Sequence, residues 1–195
     1  MESLRVVHRD EAFVTRSESA ATPSDESSRF RAEFDALFAV HFHRLYRYLD
    51  RLSGEPELAA DLAQEAFVRL YRRGMLPDSP EAWLITVAMN LFRNVKATRS
   101  RHRRLLTVSR GEGVHSDPPR RADEAVTGDD ARRRVRMVLD GMTERDQQLL
   151  LLRAEGYSYR DLAAALELNE ASVGVLLARA KRAFRERYEE VFDAP

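Results

Sequence analysis

The sequence predicts an all-α protein: two small helical domains joined by a flexible linker, the C-terminal one a helix-turn-helix. Three observations predict it. Apolar residues recur at steps of three or four from Phe30 to Val95 and again from Leu149 to Phe184, the period of helices with one buried face. Helix-start residues (Ser79-Pro80, Thr143, Ser158, Asn169) and helix-stop residues (Ser53-Gly54, Gly74, Gly156) punctuate those stretches. Between them, Leu105 to Gly128 carries three glycines and two prolines without any period. Structureless stretches beyond about 12–15 residues are uncommon inside a compact domain, so an interdomain linker is placed at residues 105–129.

Residues 1–28 are rich in Ser, Glu, Asp and Thr, which predicts a disordered N-terminal tail. Val6, Val7, Phe13 and Val14 give it a weak docking signal. The first domain, residues 29–104, holds three helices. In the first, Phe30, Phe34, Leu37, Phe38, His41, Leu45, Leu49 and Leu52 form one stripe. Its aromatics are read as core, and His41 as a core or boundary residue. The second runs from Glu57 to Arg73 and buries Leu58, Leu62, Ala66, Phe67 and Leu70. On another of its faces stand Asp61, Gln64 and Glu65, at i, i+3 and i+4; spacing alone reads that face as solvated. The third starts at Ser79-Pro80 with Glu81 in the first turn, where the helix dipole favours an anion. It buries Leu84, Val87, Ala88, Leu91 and Val95. Its second half carries Arg93, Lys96, Arg99, Arg101, Arg103 and Arg104 with no acid among them. Ordinary solvated faces mix signs, so this end suggests a nucleic-acid backbone as partner.

The second domain, residues 130–190, is punctuated more tightly. A helix from Ala131 to Asp140 comes first. Thr143 caps the next, with Asp146 three residues on in a variant capping box. Ser158 caps a third, again with an acid, Asp161, at N3. After Glu167-Leu168, Asn169 caps a long helix to about Glu190. A short helix, a tight turn and a longer helix with basic residues is a helix-turn-helix. Residues 191–195 are a tail.

Composition closes off other classes. Lys and Arg number 32, as do Asp and Glu, so any nucleic-acid argument rests on local charge. The absence of cysteine excludes a disulfide framework, thiol redox sensing and cysteine-ligated zinc. His8, His41, His43, His102 and His115 show no metal-ligand spacing, and no nucleophile–base set or phosphate loop points to an enzyme. No apolar run approaches the roughly 20 residues of a membrane span, and no signal peptide is legible. A cytoplasmic protein without cofactor or membrane insertion is expected.

Two blocks carry a resemblance. LAADLAQEAFVRLYRR followed by SPEAWLITVAMNLFRNVKATRSR resembles domain two of bacterial sigma factors. MTERDQQLLLLRAEGYSYRDLAAALELNEASVGVLLARAKRAFRE resembles domain four. Both in this order, with only a linker between them, look like the extracytoplasmic-function (ECF) group of the sigma-70 family. The resemblance implies a promoter-recognition subunit that binds core RNA polymerase and promoter DNA. It makes Asp61, Gln64 and Glu65 polymerase contacts, which replaces the solvated reading of that face. It places Trp83, Asn90, Arg93, Asn94 and Lys96 at the opened minus-ten strand, with Arg99, Arg101, Arg103 and Arg104 on duplex phosphates. Trp83 also suits core packing, the preferred reading. Single-strand binding combines a cationic groove with stacking and base pockets. The minus-thirty-five element falls to Ser172, Val175, Arg179, Lys181 and Arg182. Here the chain departs from its family, for Gly174, Val175 and Leu176 follow Val173 where relatives often carry basic or hydroxyl residues. Many relatives have an anti-sigma factor, whose binding surface this sequence does not locate. The alternative is a stand-alone helix-turn-helix regulator.

Overall fold

The computed structural model describes residues 23–110 and 128–192, and these form helices: α1 (Pro23–Ser53), α2 (Pro56–Arg73), α3 (Pro80–Arg110), α4 (Gly128–Asp140), α5 (Glu144–Ala154), α6 (Tyr159–Leu166) and α7 (Glu170–Phe192). The expected docking segment at Val6–Val14 and most of the expected linker lie outside the described residues.

Helix ends differ from expectation in two places, each for a local reason. α1 begins at Pro23, inside the stretch assigned to the tail. Pro23 followed by Ser24, Asp25 and Glu26 is helix-start sequence that a composition argument overlooks. α3 continues to Arg110, past the expected end at Arg104. No glycine or proline occurs before Gly111, and with no breaker the helix continues.

The caps follow the sequence closely. Ser158 makes a full capping box: its hydroxyl accepts from the Asp161 amide at 3.1 Å, and its own amide donates to Asp161 Oδ2 at 2.9 Å. Thr143 accepts from the Asp146 amide at 3.2 Å. The variant box expected there is only half made, because Asp146 is buried with Oδ1 unpartnered instead of reaching back to the cap. Asn169 Oδ1 accepts from the Ala171 amide at 3.0 Å and opens α7. Between α6 and α7, Glu167 takes φ 55°, the one non-glycine in the left-handed region among the described residues. That conformation costs roughly 1–2 kcal/mol outside glycine, and amides of the turn bonding back to Ala163 O offset it.

Packing joins what the sequence separates. α1 and α2 form a hairpin across Gly54, whose φ of 63° ends α1. α3 lies against both, burying Ala82, Leu84, Ile85, Ala88 and Met89. In the C-terminal half, Val173, Leu177 and Ala180 of α7 pack on α5 and α6, while α4 also packs against α7. The two halves then meet, α3 against α6 and α1 against α5. Leu45, Tyr48 and Leu84 share one continuous core with Leu152, Tyr157 and Leu162. Burial holds the Tyr48 and Tyr157 phenols far above their ordinary pKa, so both stay neutral.

Candidate nucleic-acid and partner interfaces

The acidic face of α2 is built as the spacing requires. Leu62, Ala63, Ala66 and Phe67 turn into the core, which leaves Asp61 and Gln64 exposed and Glu65 half-buried. Glu65 Oε1 accepts from Arg69 Nε at 2.8 Å, one turn on. Such exposed i,i+4 pairs are worth about 0.3–0.5 kcal/mol, so the carboxylate can exchange Arg69 for another cation.

An apolar ledge borders this face, and here the core reading of the α1 aromatics needs correction. Phe67 is buried, with ring centroids of Phe34, Phe38 and Phe42 at 6.1, 5.1 and 5.8 Å. Phe38 itself is 41% exposed and Tyr71 of α2 is 48% exposed. The stripe outruns the core because α3 reaches only its C-terminal half, where Leu45, Tyr48 and Leu49 are fully buried. Tyr71 stands two turns beyond Gln64, on the same side of α2. His41 is a boundary residue, as expected: Nε2 lies 3.4 Å from Glu81, and burial lowers its pKa.

The cationic residues of α3 do not share one face. Asn90, Arg93 and Asn94 are exposed, and Arg93 is already engaged, donating to Glu144 of α5 at 2.8 Å and to Asn90 Oδ1 at 3.3 Å. Thr86, Asn90, Arg93, Glu144 and Glu167 line a cleft between α3 and the C-terminal half. Lys96, Arg99 and Arg103 follow the line of Ile85, Met89 and Phe92, the buried side of the helix prolonged past the end of the core. Arg99 bonds Glu55 at 2.8 Å. Arg101 donates to Thr98 at 3.4 Å, and it and Arg104 are exposed. Trp83 is half-buried and packs against the core, the preferred reading. A segment without acids thus borrows acids from other elements; sign along the chain could not reveal Glu55 or Glu144.

On α7, Ser172, Val175, Arg179 and Arg182 are exposed on one side, with Val175 72% exposed. Lys181 is exposed too, but lies about 120° round the helix from Val175, so it does not join their line. Gly174 faces the Tyr159 ring. This side is small and partly apolar, a shape able to approach a major groove and touch thymine methyl groups.

Sequence reasoning missed a second set. Glu155, the C-cap residue of α5, is buried with its side chain 2% exposed. Arg47 Nε donates to its Oε2 at 2.8 Å, and Arg51 Nη1 stands 2.9 Å from Oε1 without hydrogen-bond alignment. Arg44 donates to the Glu155 carbonyl at 2.7 Å and lies over the Tyr157 ring, 3.8 Å from its centroid. The spacing Arg44, Arg47, Arg51 marks one helical side, the only trace of this set in the sequence.

Comparisons with known proteins match both halves. A family model described as Sigma-70 region 2 matches residues 37–104, and one described as Sigma-70 region 4 matches residues 132–184; together they cover more than half of the chain. The ECF RNA polymerase sigma factor SigE of Mycolicibacterium smegmatis is 28% identical over 180 residues, 89% of this chain and 65% of that protein, so the match spans under two thirds of it. SigK of Mycobacterium ulcerans is 28% identical across 80% of this chain and 87% of its own length. Among solved structures, sigma factor RpoE in complex with the anti-sigma factor NepR from Bartonella quintana superposes with a TM-score of 0.56 at 20% identity, covering 80% of this chain and 97% of that one. CnrH in complex with the cytosolic domain of CnrY gives a TM-score of 0.59 at 21% identity, covering 84% and 92%. These two likenesses establish the fold.

Proposed function

The chain belongs to the bacterial sigma-70 family, in its extracytoplasmic-function group, and from this we propose that it is a promoter-recognition subunit of RNA polymerase. The observation that carries the proposal is the order of regions two and four on one chain whose described residues fold as helices without strands. Asp61, Gln64 and Glu65 bind core polymerase. α3 handles the minus-ten element through Asn90, Arg93 and Asn94, with its arginine-rich end on phosphates. α7 reads the minus-thirty-five element. The protein works in the cytoplasm, without cofactor or enzymatic activity of its own; among the described residues no helix is long and apolar enough to cross a membrane. The complex of a structurally similar sigma factor with an anti-sigma factor supports an inhibitory protein partner here too.

The test is to mix the purified chain with core polymerase. Co-elution, and initiation from promoters selected out of a random library, are expected. Tight DNA binding by the chain alone, with none to core polymerase, would overturn the proposal in favour of a stand-alone regulator.

On α7, Arg179 supplies the directional base contact and Arg182 a phosphate contact. Arg179→Ala is expected to weaken promoter binding by about 1–3 kcal/mol and to relax preference at one position of the upstream element. Arg182→Ala should weaken all sequences alike. Promoter selection with each variant holoenzyme checks this; identical upstream preferences for wild type and Arg179→Ala would remove Arg179 from the role.

A further inference from the structure

We propose that Glu155 is the latch of a closed state in which the C-terminal half covers part of the minus-ten surface, so that the chain must open to act on a promoter. This rests on the promoter-recognition role proposed above.

The halves meet over a shared apolar core, and ionic contacts flank it. Glu155, at the end of α5, is enclosed between Arg47 and Arg51 of α1, with Arg44 bound to its backbone carbonyl. From α4, Arg136 donates to Leu52 O at 3.4 Å, and its guanidinium occupies the space where a side chain on Gly54 would stand. On the other flank Arg93, a candidate minus-ten residue, is held by Glu144. A carboxylate of the protein thus occupies a cation assigned to nucleic acid.

Geometry makes this arrangement incompatible with promoter binding. In the closed state α6, the first helix of the helix-turn-helix, packs directly on α3. Elements at minus ten and minus thirty-five lie about 25 base pairs apart, roughly 85 Å along the duplex at the rise of B-DNA. Helices in contact stand only about 8–10 Å apart. Both elements can be occupied at once only if the halves separate. A buried carboxylate suits a reversible latch: its partners are half-exposed arginines, and on opening all three charges return to water.

The latch is tested by reversing its cations, Arg47→Glu with Arg51→Glu; neither residue belongs to a polymerase or DNA surface assigned above. The chain has no cysteine, so cysteines introduced at exposed Ala97 and Ala164 accept a dye pair reporting the α3–α6 distance. Energy transfer is expected to fall in the reversed variant and to return when Glu155→Arg is added, which also shows that the variant chain folds. Apparent affinity scales with the fraction of competent chains, so holoenzyme formed with a chain closed nine-tenths of the time would bind promoter DNA about tenfold more tightly once unlatched. Unchanged energy transfer in the reversed variant overturns the latch. Lower transfer without tighter binding overturns its inhibitory role. If the wild type does not bind core polymerase at all, the promoter-recognition role fails, while energy transfer still decides whether Glu155 holds the halves together.

Discussion

Reversing both charges of the α2 acidic face, Asp61→Lys with Glu65→Lys, is expected to abolish association with core polymerase while leaving the helical fold unchanged. Asp61 is exposed and Glu65 half-buried, so neither change opens the core, and surface substitutions usually alter stability by less than about 0.5 kcal/mol. The new lysine at 65 meets Arg69 one turn away, a like-charge pair worth a few tenths of a kcal/mol against the helix. At an interface the same reversal sets two cations where the partner presents cations. Like-charge juxtaposition there costs several kcal/mol, which predicts a loss of more than about a hundredfold in affinity. Co-sedimentation with core enzyme, alongside circular dichroism of the variant, measures both quantities. A folded double variant that still binds core enzyme at wild-type strength would remove this face from the interface.

Phe67→Ala is expected to have the largest effect on stability. The ring is buried, meets three α1 aromatics from below and fastens the N-terminal half of α1 to α2. Truncating a buried phenylalanine to alanine costs about 3–5 kcal/mol through lost transfer energy and the cavity left behind. That is a large share of the roughly 5–15 kcal/mol that holds a folded protein together. For a chain of this size the melting temperature should drop by about 10 °C or more. The control is Phe38→Ala, on the same ledge but already partly in water, which should cost about 1 kcal/mol. Urea titration of the two variants separates them. Equal losses would mean that Phe67 is not the fastener and that the aromatic cluster acts as a unit.

Contrasts along the chain show what a sequence can carry. The inward stripe of α7 and its exposed side were legible because both follow from period and composition. Val173, Leu177 and Ala180 are buried, and Val175, Arg179 and Arg182 are exposed, as periodicity requires. The aromatic stripe of α1 was legible as a stripe but not as a ledge. Periodicity says which residues face inward; it does not say where the neighbouring helix stops covering them. Likewise, the second half of α3 was legible as cationic, yet only the folded chain divides its residues between different sides of the helix and gives Arg93 and Arg99 their acids.

By itself the sequence determined the helices, their caps and the order of the two family regions, because these depend on interactions within a few residues. The Ser158–Asp161 box closes across three residues, and the α7 cap across two. Tertiary structure alone decided how the halves meet. Arg47 and Glu155 are 108 residues apart in sequence, and Arg93 and Glu144 are 51 apart. With 32 acidic and 32 basic residues to choose from, charge by itself permits a great many pairings. The pairs formed follow from two apolar surfaces closing into one core, which brings the end of α5 against the arginines of α1 and the start of α5 against α3.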